Sequence, residues 1–463
     1  MEGKQTVGFV NYTDNALKEL KLHLYANAYR EGAKAEVVSV ANYEKAYPNG
    51  KSYGNIEIES VCAGEQSLEF EIGGVDENIL IVNFEKEIYP DETKEFEVGF
   101  RVKLANINHR LGYGDSTINL CNYYPILCVY ENGDFVTDLY DSNGDPFYSK
   151  VADYNVSLSY DPNLTLASSG TMQIEKDGEF NVAKIKASKV RDFAMVLSKN
   201  FSVCKDSYKG IEINYYHYGD FNATQNVLVV KQVLEQNEKI GKYPYPQISI
   251  VEADFVHGGM EYPALILISD DLPDYETYVN VVVHELCHQW WYGVVGNNQY
   301  LYGFLDEGLT DYTTAMFYEK HPKYGLTKKE IFKNATNSYA FFCKVYEDVV
   351  PDFSTKMVRP LNEYATENEY VYLCYVKGML LFGSLDEMLG EKTMTKCLKH
   401  FYQSFKFKEA TADDLIDCFC SASGKNLKSF FDSWLNGKEI TIDFWLFGKT
   451  FWKKIFPSLY KNF

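Results

Sequence analysis

HELCHQWW, residues 284–291, decides how this chain is read, together with FLDEGLTDY, residues 304–312. Positions i and i+4 of an α-helix lie on one face about one turn apart, so His284 and His288 can aim ring nitrogens at a single ion. Glu285 lies about 100° round the same helix, near enough to bond a water at that ion without ligating it. The preceding YETYVNVVV, residues 275–283, predicts a helix that buries one side, although its β-branched run lowers helix propensity and needs tertiary packing. Eighteen residues separate His288 from Glu307, and Glu307 reads as opening a second helix. Two histidines and one glutamate leave a fourth position for water, which is the composition of a catalytic zinc site rather than a closed structural one. Asp306 is the rival ligand, and it reads as a carboxylate near the helix start, where the helix dipole favours it. Asp311 follows Glu307 by four residues on the same helix face. It is either an outer carboxylate that accepts the second ring N–H of a ligand histidine or an exposed acid on an acidic protein.

Around these segments the chain runs to 463 residues, more than one hydrophobic core usually serves, so two or more domains are expected. The net charge of −20 repels phosphate backbones and argues against nucleic acid as a partner. Ten cysteines show no metal-type pairing and read as mostly reduced, buried thiols. There is no run of eighteen apolar residues and no basic-then-apolar leader pattern, so neither a spanning helix nor a signal peptide is predicted. The compartment and the oligomeric state stay open.

In KEFEVGFRVKL, residues 94–104, Phe96, Val98, Phe100, Val102 and Leu104 alternate with the period of a half-buried strand. SLEFEI, NILIVNF, NVSLSY and RDFAMVLS read as further strands among turn-like segments, which predicts an all-β domain, a saddle or sandwich, over residues 1–205. After residue 206 the pattern changes. GIEINYYHYGD and QISIVEADF read as strands flanking a helical run with Val227, Val230, Val233, Leu234 and Asn237 on one face, and from Asp274 the chain is mainly helical. The fold class is therefore α+β and multidomain, with the catalytic part over 206–440. A tail, 441–463, is dense in aromatics and lysine; it reads as a final packing element, with contact to a membrane surface as the other reading.

Two further stretches complete a resemblance. GGMEYP, residues 258–263, lies just after a predicted strand, and YVYLCYVKGMLL, residues 370–381, carries a tyrosine-x-lysine-glycine pattern. With HELCH and Glu307 in this order and spacing, the chain resembles the M1 family of zinc metallopeptidases, the gluzincins that include aminopeptidase N and leukotriene A4 hydrolase. Looser similarity runs from LKELKLHLYANAYR to FFDSWLNG. The resemblance implies a thermolysin-like α/β catalytic domain after the β domain, one zinc ion per chain, and peptide substrates with a free N-terminus. It assigns His284, His288 and Glu307 to the metal and Glu285 to the role of general base. Tyr375 falls to the tyrosine that bonds the reacting carbonyl oxygen, and Glu261 to the carboxylate that holds the substrate α-amine. Gly258, Gly259, Met260 and Tyr262 fall to the substrate-binding segment, where a glycine pair lets a peptide backbone approach.

There are three departures. Tyr262 stands where the family carries asparagine, which implies a narrowed or reshaped first subsite. TINLCNYYP, residues 117–125, lacks the glutamine by which many relatives help to hold the amine. The chain also reads as a short form without the full C-terminal helical domain of many relatives. Two other readings stay open: a zinc hydrolase of different specificity, acting on blocked N-termini or non-peptide substrates, and an idle peptide-binding scaffold.

Overall fold

The alternation predicted for residues 94–104 is seen in a strand, Thr93–Lys103, whose Phe96, Val98, Phe100 and Val102 are all buried. It pairs antiparallel with Glu2–Val10 on one side and Asn55–Ala63 on the other. Leu104 falls just past the strand end, and Ala105, 1% exposed, takes the next buried place. A computed structural model describes residues 1–218 and 222–437; the tail reading for 441–463 lies outside the described residues.

The chain divides into two compact units. One comprises Met1–Val230 with Pro244–Pro273, the other Lys231–Tyr243 with the chain from Asp274 onward. The first is built on sheets. Two four-stranded antiparallel sheets, centred on Thr93–Lys103 and on Leu17–His23 with Ile79–Ile88, are followed by a three-stranded and another four-stranded sheet. A five-stranded mixed sheet completes the unit. Its strands run Ser202–Tyr208, Ile211–His217, Gln247–Ala253, Leu265–Ser269 and Gly259–Met260 in spatial order. The three inner strands are parallel. Every residue of Gln247–Ala253 and Leu265–Ser269 is buried, as expected of strands covered on both faces. Between Ile211–His217 and Gln247–Ala253 the chain runs through the helix Ala223–Asn237, the kind of crossover that a parallel pair requires. The predicted face of that helix, Val227, Val230, Val233, Leu234 and Asn237, is at most 2% exposed.

The second unit is helical. Its main helices are Tyr275–Cys287, Gln299–Lys320, Lys328–Val349, Gly378–Leu389, Glu391–Phe405, Ala412–Ser423 and Lys428–Asn436. Short polar caps punctuate it. Asp274 accepts from Thr277 N at the start of the first helix, and Thr327 with Glu330, like Thr411 with Asp414, closes a reciprocal capping box. No helix among the described residues is long and apolar enough to cross a membrane. All ten cysteines are free thiols, seven of them buried.

Candidate active site

The valine-rich approach to HELCH forms the helix Tyr275–Cys287, and packing overrides its poor propensity: Val279, Val282, Val283 and Leu286 are at most 1% exposed. Cys287 is buried, and its Sγ accepts from Asn237 Nδ2 at 3.3 Å, so it is a packed core thiol rather than a ligand. His288 sits at the C-cap, with its amide still bonded to the His284 carbonyl at 3.2 Å.

Glu307 does not open its helix as expected. That helix starts at Gln299, capped by Asn298, and has non-helical backbone at Tyr302 (φ −122°, ψ 39°). Glu307 therefore lies in the regular part that follows the kink, and Asp306 is not a helix-start carboxylate. Asp306 is buried and accepts from Gln299 Nε2 at 2.8 Å.

Three donor atoms converge. His284 Nε2 and His288 Nε2 are 3.0 Å apart, and Glu307 Oε2 lies 3.2 Å from the first and 3.1 Å from the second. Ligands about 2.0–2.1 Å from a tetrahedral zinc ion are spaced about 3.3–3.4 Å apart. The triangle fits such an ion within a few tenths of an ångström, and these three residues form a group able to hold a metal.

The rings are aimed by their outer nitrogens. His288 Nδ1 donates to the Trp291 carbonyl at 3.0 Å; a carbonyl only accepts, so the proton resides on Nδ1 and Nε2 keeps its lone pair. Thr310 Oγ1 is also 3.1 Å from Nδ1. His284 Nδ1 lies 2.9 Å from Asp311 Oδ1, which sets the same tautomer. Asp311 thus meets the outer ring nitrogen of His284. Trp291 O and Thr310 went unseen in the sequence. A backbone carbonyl leaves no mark there, although Thr310, three residues after Glu307, shares its helix face.

The charges are coupled. Burial pushes His284 down, but the bonds to Asp311 and Glu307 outweigh it and hold the imidazole well above its usual 6.5. Burial likewise acts to raise Glu307, and the charges and hydrogen bonds of the two histidines overcome it, holding the carboxyl at about 2. Three inward-facing donors of this kind need a positive charge among them, supplied by a proton or by a metal ion.

Glu285 is buried at 6% exposure on the same helix. The Tyr375 ring lies parallel to His284, with centroids 5.8 Å apart and planes 7° apart. His284, Glu285, His288, Glu307, Asp311 and Tyr375 therefore all belong to the second unit.

GGMEY lies in the first unit. Gly259 and Met260 form the edge strand of the mixed sheet, paired antiparallel with Ile268 and Leu267, and Gly258 O accepts from Ser269 N at 2.9 Å. Glu261 follows directly and is 3% exposed. Tyr262 is fully buried, and its hydroxyl donates to Asn122 Oδ1 at 2.8 Å. Asn122 has φ 52°, the left-handed region that asparagine tolerates, and belongs to the stretch that lacks the glutamine. Its Nδ2 donates to Asp192 at 3.2 Å, so Tyr262 is engaged in a buried network. His257 packs against His109 and Phe255, with ring centroids 5.4 and 5.5 Å away, and His217 stacks on Tyr215.

Residues 225–434 match the model of the peptidase family M1 domain. Aminopeptidase 2, mitochondrial, of Saccharomyces cerevisiae is 27% identical over 319 residues, 61% of this chain and 31% of its own length. Aminopeptidase N of Lactobacillus helveticus is 23% identical over 307 residues, 61% of this chain and 35% of its own. The leukotriene A-4 hydrolase homolog of Botryotinia fuckeliana is 27% identical over 225 residues, 44% of this chain and 33% of its own. The chain thus spans about a third of the length of these curated relatives. Among solved structures, the M1 zinc metallopeptidase of Deinococcus radiodurans superposes with a TM-score of 0.66 at 12% identity, covering 95% of this chain and 89% of that one. At that identity the match shows a shared fold.

Proposed function

We propose that this chain, whose residues 225–434 match the peptidase family M1 domain, is a zinc aminopeptidase of that family that removes single residues from the free N-terminus of peptides. The observation that carries this reading is the triangle of His284, His288 and Glu307 donor atoms, 3.0–3.2 Å on each side, with both histidines locked by their outer nitrogens in the ligating tautomer.

His284, His288 and Glu307 would hold a zinc ion, which would supply Lewis acidity at the site and make water there a better nucleophile near neutral pH. Glu285 takes the proton from the attacking water and passes it to the departing amine. Its burial favours that shuttle, because a carboxylate shielded from bulk water exchanges its proton with the reacting groups. The Tyr375 hydroxyl donates to the substrate carbonyl oxygen as negative charge builds there. Asp311 and the Trp291 carbonyl hold the two imidazoles in place. Gly259–Met260 lies at the edge of its sheet, where an extended peptide would add as a further strand, and Glu261, next in sequence, would pair with the substrate α-ammonium. Tyr262 supports this segment through Asn122.

One peptide in free and N-acetylated forms, followed by mass spectrometry with and without a zinc chelator, tests the reading. Chelator-sensitive loss of single residues from the free form alone is expected, and Glu261→Gln is expected to raise KM for that form about tenfold or more by removing one charged partner. Cleavage of both forms would sink the amine-anchor role of Glu261. Resistance of both, across peptides of varied first residue and with zinc bound, would sink the peptidase reading.

A second expectation concerns the outer carboxylate. Asp311→Ala should weaken zinc binding about 10–100-fold, read by competition with a chromophoric chelator. Unchanged affinity would show that the His284–Asp311 bond does no orienting.

A further inference from the structure

Tyr375 does not sit in an ordinary helix. Val371–Lys377 is a seven-residue π-helical stretch inserted between the single turn Glu367–Tyr370 and the α-helix Gly378–Leu389. In a π-helix each residue turns through a smaller angle than in an α-helix, so side chains along the stretch point elsewhere than an α-helical register would send them. Such stretches are rare and are found frequently at functional sites.

The surroundings of this stretch are specific. Lys377 is fully buried, and its ammonium donates to Thr355 O at 2.8 Å and to Gly437 O at 3.2 Å. Thr355 Oγ1 donates to the same Gly437 carbonyl at 2.6 Å, and Met357 N bonds Leu435 O at 2.9 Å, so the segment around Thr355 is itself tied down. Further along it, Arg359 forms a buried ion pair with Glu369, and Tyr364 Oη reaches Met357 O at 2.8 Å and Cys374 Sγ at 3.2 Å. The helix that carries Glu307 also packs against the π-helical stretch. A Cβ on Gly308 would come within 2.8 Å of Gly378 Cα, and one on Gly303 within 2.5 Å of the Tyr370 hydroxyl. The two helices meet backbone to backbone one residue after Glu307 and three after Tyr375.

An apolar side chain of Lys377's length would fill this space without the cost of burying an ammonium, so the charge is explained by the carbonyls it holds. We propose that Lys377 is a positioning residue. Its ammonium, seated on the Thr355 and Gly437 carbonyls, holds the π-helical register that presents Tyr375 beside His284, with the Gly308–Gly378 contact as the fulcrum. This rests on the reading that Tyr375 acts in the reaction.

Lys377→Met, Tyr375→Phe and the double variant are compared on the best of a panel of amino-acid 4-nitroanilides, with zinc per chain measured in each. Lys377→Met is expected to lower kcat about 10–100-fold while KM moves less than about threefold and zinc content stays unchanged. In the double variant the loss should match that of Tyr375→Phe alone within about twofold, because both changes remove one interaction. Losses that multiply, or an unchanged kcat with only a lower melting temperature, overturn the proposal. Full activity in Tyr375→Phe overturns instead the reading on which it rests. Should Lys377→Met not fold, Gly378→Ala, which forces the same helices apart, is expected to show the same kcat loss and the same lack of additivity with Tyr375→Phe; an unchanged kcat there overturns the proposal.

Discussion

Glu285→Gln is expected to bind zinc as the parent does and to lower kcat by about 10³-fold, with KM nearly unchanged. The amide matches the carboxylate in shape but cannot accept the water's proton, so only the step that needs a base is lost. Because Glu285 is buried on the HELCH helix and is not one of the three triangle donors, the substitution leaves His284, His288 and Glu307 untouched. The measurement pairs steady-state kinetics with metal analysis. Activity within about tenfold of the parent, at full zinc occupancy, would remove Glu285 from the mechanism and return the general base to an open question.

The second large effect is expected at Glu307. Glu307→Ala removes one of three donors and the anion that balances two imidazoles, so zinc should be lost at micromolar metal and activity with it, a fall of about 10⁴-fold or more. The coupled charges give this a pH signature. In the metal-free protein the His284 proton is stabilised by Asp311 and Glu307. Its folded pKa is raised, so its contribution to stability is fully present below about 6.5 and is lost as pH rises through the raised value. A metal ion held by His284, His288 and Glu307 would take the place of that proton. The gain in melting temperature on adding zinc should therefore grow from pH 6 to pH 8 in the parent, and shrink to near zero in Glu307→Ala. A zinc-induced shift that survives in Glu307→Ala would place the metal elsewhere.

Much of this protein is written in its local periodicities. The i, i+4 spacing of His284 and His288, and the eighteen residues to Glu307, were enough to nominate the three donors that the fold brings within 3.2 Å of one another. Helix geometry likewise nominated Asp311, four residues past Glu307, which lies 2.9 Å from His284 Nδ1. Strict alternation found the strand Thr93–Lys103, and a helical face found Ala223–Asn237. The three-motif resemblance agrees with the family match over residues 225–434. These features are legible because each is set by the repeat of a single element, and an element's repeat depends on its own residues.

What only the tertiary structure decided involves partners from elsewhere in the chain, or backbone atoms that no residue name records. The start of the second helix at Gln299 rather than Glu307 rests on the Asn298 cap and a kink at Tyr302. The tautomer of His288 rests on the Trp291 carbonyl, and the burial of Tyr262 on Asn122, 140 positions away. The π-helical register around Tyr375 has no counterpart in a sequence pattern, because the carbonyls of Thr355 and Gly437 hold it through Lys377. Side-chain identity and spacing place the donors on their faces; the angle at which each donor is held is set by carbonyls and distant side chains, and those meet only once the chain has folded.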